Sequence, residues 1–231
     1  RVPASAMKLY GRAKSRKWCL GDAQLQAGAF SRHDGTRFAA YLESVKKGEA
    51  KINVAGIQPH ELVRAVWLRH DETIQLQWNT IINRLRDIES LGTSMAVVDV
   101  SGSMRGEPME VAIALGLLIS ELASGPFRDK MITFSEVPMF HNIVGNTLHE
   151  KVANMASAHW GCSTNVEAVF DLLLNMAITF DIPAERMVKT LFIFTDMQFN
   201  QASGNMNGDT LFTVIREKYA RANYPVPKLV F

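Results

Sequence analysis

The nine residues Met95-Ala-Val-Val-Asp-Val-Ser-Gly-Ser103 constrain this chain more than any other stretch. A short apolar run that ends in an acid and two hydroxyls at alternate positions, Asp99, Ser101 and Ser103, predicts a buried strand carrying oxygen ligands to its own carboxyl end. In an open parallel sheet, ligands bind in the crevice beyond the carboxyl ends of the strands. Gly102 is expected to let the backbone bend so that both hydroxyls turn inward with the carboxylate. One carboxylate and two neutral hydroxyls make half of an all-oxygen, low-charge shell. Such a shell suits Mg²⁺, which takes about six oxygens at roughly 2.0–2.1 Å and keeps some of its waters.

The other half must come from distant segments. Thr164 lies in Trp160-Gly-Cys-Ser-Thr-Asn165, just before an apolar helix-like run, and Asp196 closes the strand-like run Lys189-Thr-Leu-Phe-Ile-Phe-Thr-Asp196. A doubly wound topology brings both segments to the same sheet edge as Asp99. Together they read Asp-x-Ser-x-Ser, a Thr in a Gly-led loop, and Thr-Asp after a hydrophobic strand. This three-part pattern, spanning residues from about 91 onward, resembles the metal-ion-dependent adhesion site of von Willebrand factor A domains. Met197 stands where many A domains have Gly.

The run Asp99-Val-Ser-Gly-Ser-Met-Arg-Gly-Glu-Pro-Met-Glu110, with Ile132-Thr-Phe-Ser-Glu136 and Phe194-Thr-Asp-Met-Gln-Phe199, resembles more closely one family found in plants, fungi and viruses. Its members join a helical amino-terminal region to a carboxyl-terminal A-type domain. In organisation they are distantly similar to the TROVE-module (Ro autoantigen) RNA-binding proteins. The resemblance implies that Ser101, Ser103 and Thr164 present hydroxyls to Mg²⁺, with Mn²⁺ or Ca²⁺ as substitutes, while Asp99 and Asp196 act mostly through water. It also implies an open position for a carboxylate from a partner protein.

The pattern of elements predicts a mixed, mostly parallel α/β sheet with helices on both faces, preceded by a helical region. Residues 1–90 are expected to form that helical, basic region, and residues 91–231 a von Willebrand A-like domain truncated at its carboxyl end. Apolar spacing predicts helices over 38–50, from Pro59, and over 73–91. The last of these leads into the first strand with no Gly/Ser- or Pro-rich hinge, so it is expected to pack against the sheet domain. Glu107-Pro108 starts an apolar helix expected to lie centrally on the sheet. The strands expected at 130–134 and 137–143 are linked too briefly for a crossover helix and should pair antiparallel. Thr164 has a second reading, because Thr164-Asn-Val-Glu167 also matches a capping box for the helix that follows; with Thr164 on the metal, Asn165 is expected to share the capping.

Charge is divided along the chain. Residues 1–90 hold 15 Lys/Arg against 9 Asp/Glu, and residues 91–231 hold 10 against 14, so the parts carry +6 and −4. Opposite signs predict either docking of the two parts or a basic part that meets a phosphate backbone. Only Cys19 and Cys162 are present, with no zinc or disulfide spacing, which points to a reducing, cytoplasmic setting. The chain opens at Arg1 without an apolar leader and reads as a fragment or processed chain. No apolar run is long enough to cross a bilayer.

Three functions follow from this. The first is a Mg²⁺-dependent, non-catalytic module that captures an acidic group of a partner protein, with His159, Trp160 and Arg105 on the rim of the site. The second is RNA binding through the basic helical region, using Lys14, Arg16 and Lys17. The third, a metal-dependent hydrolase, is disfavoured. Ser101 replaces the second acid of an Asp-x-Asp phosphatase motif, the catalytic glycine motifs are absent, and the six His residues are scattered.

Overall fold

A strand with no polar face has to be covered on both sides, and that requirement sets the architecture. The computed structural model describes residues 29–68, 71–88, 91–99, 101–133, 137–157, 165–195 and 208–231. Five strands lie among these residues: β1 (Ser94–Val98), β2 (Lys130–Thr133), β3 (Met139–Asn142), β4 (Thr190–Phe194) and β5 (Lys228–Val230). They pair in the order β3-β2-β1-β4-β5. β1 is central, runs parallel to β2 and β4, and has all five residues buried. β5 is parallel to β4, while β2 and β3 form the antiparallel pair expected from their short link.

Among the described residues three helices precede the sheet: α1 (Ala29–Lys46), α2 (Pro59–Leu68) and α3 (Glu72–Ile88). Four more alternate with the strands: α4 (Glu107–Leu122), α5 (Leu148–Ala156), α6 (Val166–Thr179) and α7 (Gly208–Arg221). The fold is therefore α/β, a mixed and mostly parallel sheet with helices on both faces, preceded by a helical region. Successive residues of β1 point to opposite sides. Ala96 and Val98 enter one core with Ile113 and Leu117 of α4 and Val152 of α5. Met95 and Val97 enter another with Phe170 and Leu173 of α6 and Ile215 and Tyr219 of α7.

The α4 body crosses β1 at very short range. A Cβ added at Gly116 would lie 2.7 Å from Val98 Cγ2, so a residue without a side chain is what permits this approach. The helical region joins the same core, because Leu62 and Val66 of α2 and Ile74 and Trp78 of α3 belong to it. Polar groups close the seam. Trp78 Nε1 donates to Glu121 Oε1 at 3.1 Å, Lys151 Nζ pairs with the same oxygen at 2.9 Å, and Leu148 N donates to Gln75 Oε1 at 2.6 Å. α1 packs through a smaller cluster of Leu42, Ile52, Val54 and Leu76.

Two helices differ from expectation in their boundaries for local reasons. α1 begins well before Phe38 and is interrupted at Asp34, where the backbone leaves helical geometry and the carboxylate accepts from Arg37 N at 3.0 Å. It stops at Lys46, and Gly48 takes a left-handed φ of 77°, so residues 47–50 form a turn instead of extending the helix. α3 starts at Glu72 because Asp71 Oδ1 accepts from Thr73 N at 2.8 Å.

Candidate metal centre

The pairing of β1 with β4 puts Val98 beside Phe194, so their next residues, Asp99 and Thr195, leave the sheet together. Asp99 N donates to Phe194 O at 2.9 Å, one step beyond the strand proper. The Asp99 carboxylate is only 3% exposed and is held on both oxygens. Oδ1 accepts from Ser101 N at 2.9 Å, and Oδ2 accepts from Thr195 Oγ1 at 2.8 Å. Among the described residues no Lys or Arg pairs with it, although buried carboxylates are ordinarily paired or bound to metal.

After Asp99 the chain makes a short 3-10 turn, Gly102–Met104, closed by Met104 N donating to Ser101 O at 3.0 Å. Met104 is buried and anchors the turn, while Ser103 and Arg105 face solvent and Ser101 is half-buried. Ser101 Oγ and Ser103 Oγ lie 2.9 Å apart. In an octahedron with bonds of roughly 2.0–2.1 Å, neighbouring oxygens are about 2.9 Å apart. The two hydroxyls are hydrogen-bonded to each other, at a spacing that adjacent corners of a Mg²⁺ shell would also require.

The expected role of Gly102 is not observed. Its φ lies outside the left-handed region and a Cβ there would meet nothing within 4 Å, so the turn does not depend on it. The glycine that matters is Gly106, at φ 89° just before α4, where the chain reverses from the loop into the helix.

The capping-box reading of Thr164 also gives way. α6 starts at Val166, and the cap is Asn165, whose side chain accepts from Ala168 N at 3.1 Å. Thr164 and Asp196, the other two expected ligands, lie outside the described residues, as do His159, Trp160, Lys14, Arg16 and Lys17. Among the described residues no three His, Cys, Asp or Glu side chains gather into a metal-binding group. The loop's own donors are mainly hydroxyls.

The sequence pattern included Thr195 in its Thr-Asp step but gave it no role in the site. The available signal was its place immediately after the β4 run, opposite Asp99 once β1 and β4 are neighbours. Sequence reasoning missed the two acids of the first α4 turn, Glu107 and Glu110, and their partner Arg64, which pairs with them at 3.0 and 2.5 Å. Both contacts hold the Arg64 guanidinium above its ordinary pKa, Glu110 more than Glu107. An open groove of roughly 690 Å³ begins beside the loop, lined in part by Met104, Glu107, Pro108, Val111, Phe194 and Thr195.

These observations define an α/β protein with an oxygen-rich loop at the carboxyl edge of its sheet. Residues 93–231 match a family described as a domain of unknown function, DUF7788, and the chain belongs to that family. Residues 23–91 match a second, DUF2828, also described as a domain of unknown function. The chain is similar to Uncharacterized protein L728 of Acanthamoeba polyphaga mimivirus, 45% identical over 198 residues. That match covers 84% of this chain and 34% of the viral protein, so the chain spans about a third of its relative's length. Among the described residues no helix is long and apolar enough to cross a membrane.

Proposed function

We propose that this chain is a Mg²⁺-dependent binding module without catalytic activity, working in the cytoplasm and capturing a carboxylate of a partner protein. Ser101, Ser103 and Thr164 hold the ion through their hydroxyls, and Asp99 and Asp196 hold it largely through water. This is the ligand set implied by the likeness to metal-ion-dependent adhesion sites. When bound, the ion supplies positive charge for the incoming acid. A shell rich in neutral oxygens leaves most of that charge unspent. Arg105, exposed on the same loop, adds a cation at the rim.

The observation that carries this reading is the 2.9 Å approach of Ser101 Oγ to Ser103 Oγ beside a buried carboxylate with no cationic partner among the described residues. The test is a calorimetric titration with Mn²⁺ of the parent chain and of Ser101→Ala/Ser103→Ala. Ser103 is exposed and Ser101 half-buried, and their side chains bond to each other, so the metal-free melting temperature should change little while Mn²⁺ affinity falls at least about tenfold, the scale of roughly 1.4 kcal/mol. Equal binding in the two proteins would refute the ligand assignment. Asp99→Ala should also abolish binding, but it removes the acceptor of the Thr195 Oγ1 bond as well and so needs a melting control.

A further inference from the structure

The charge around the loop is set partly by a residue from outside the sheet. Arg64, on α2, donates from Nε to Glu110 Oε2 at 2.5 Å and from its guanidinium to Glu107 Oε2 at 3.0 Å. Both acids lie in the first turn of α4. Glu107 follows Ser103 by four residues, so at most about 14 Å of chain separates them. Glu110 is 12% exposed and faces the seam, whereas Glu107 is 65% exposed and borders the groove beside the loop. Without a counter-charge, the two carboxylates would draw a divalent cation more strongly while repelling any acid that approached it.

Resting on the metal-dependent reading above, we propose that Arg64 sets the charge balance of the site. By pairing with Glu107 and Glu110 it keeps them from spending the cation's charge, which is left for an acid from outside. Arg64 touches neither the loop hydroxyls nor Asp99 in the contacts it makes, so it acts through the α4 acids as a positioning residue. The helical region thereby tunes a site built on the sheet, which follows from the way α2 is docked on α4.

The proposal predicts the sign of an effect. A merely structural residue, once removed, would weaken metal binding or leave it alone. Removing the Arg64 charge should instead tighten binding of Mn²⁺ alone to the 231-residue chain, by about three- to fivefold at low ionic strength, the scale of one unit charge about 10–14 Å from a divalent ion in water. Arg64→Lys should stay near the parent value, and Arg64→Ala/Glu107→Gln should return to it. The gain in Arg64→Ala should shrink in 0.5 M salt, about the condition where screening reaches within a few ångströms. Weaker or unchanged Mn²⁺ affinity in Arg64→Ala overturns the role of Arg64 while the metal reading stands. No Mn²⁺ binding by the parent chain overturns both.

Discussion

The two faces of the sheet are closed by different means. On the α6–α7 face the cover comes from helices interleaved with the strands, and its keystone is Tyr219, completely buried, with its hydroxyl donating to Phe170 O at 2.9 Å. On the α4 face the sheet's own helices are joined by α2 and α3. The keystone there is Trp78, just 1% exposed, from the segment that matches the other family. Both aromatics bury an apolar body and satisfy one polar atom, but only Trp78 does so across a seam, on a carboxylate shared with Lys151. The α4 face, which also leads into the Asp99 loop, is therefore the one whose completion depends on the helical region.

On that difference, the largest effect should come from Trp78→Ala. Truncating a buried Trp typically costs about 3–5 kcal/mol, and here it also takes a donor from Glu121. Because Trp78 shares a core with Val98 and Leu117, the loss should lower a single unfolding transition of the whole chain. Two separate transitions by calorimetry, with only the first moved, would mean that the helical region is not part of that core.

A smaller effect tests how closely α4 is pressed onto the sheet. In an exposed helix, Gly→Ala gains about 1 kcal/mol from propensity alone. At Gly116 the new Cβ meets Val98 Cγ2 at 2.7 Å, in a fully buried strand, so overpacking of about 1–3 kcal/mol should outweigh the gain. Urea unfolding should show Gly116→Ala less stable by about 1 kcal/mol. A stabilised variant would show that the helix can lift without penalty.

How much of this was legible in the sequence depends on the range of the interaction. The β1 run, the loop that follows it and the α4 start at Glu107-Pro108 were readable because burial, capping and turn chemistry are written in adjacent residues. The capping box at Thr147 and Glu150 is equally local. What escaped was set by tertiary neighbours. Thr195 joins Asp99 from 96 residues away, and Arg64 reaches Glu110 across 46. Nothing in the local pattern distinguishes Glu107 and Glu110 from ordinary first-turn acids, which favour a helix amino end on dipole grounds alone. The choice between Thr164 and Asn165 as cap fell to a one-residue shift, a margin finer than sequence patterns resolve. Gly102 misled because a glycine in a loop suggests a bend, whereas the positive φ was four residues on, at Gly106.

The smallest effect, and the one that separates the faces by chemistry, is expected at Tyr219. Tyr219→Phe keeps the packing and loses the bond to Phe170 O, a cost of about 1 kcal/mol near neutral pH. Burial, and secondarily the negative charge of Asp171, push the Tyr219 phenol well above its ordinary range. In the unfolded chain the phenol ionises near pH 10, while in the folded chain it stays neutral. Its contribution is thus fully present below about pH 10 and is lost as pH rises toward the folded value, at up to about 1.4 kcal/mol per pH unit. Lys218, held protonated by Asp171 and then by Glu167, is common to parent and variant and cancels in their difference. The stability gap between parent and Tyr219→Phe, measured by urea unfolding at pH 8, 10 and 11, should therefore narrow and vanish near the last point. A gap that stays constant across that range would mean that the α6–α7 face admits water to the phenol, and that its seal is no drier than the seam at Trp78.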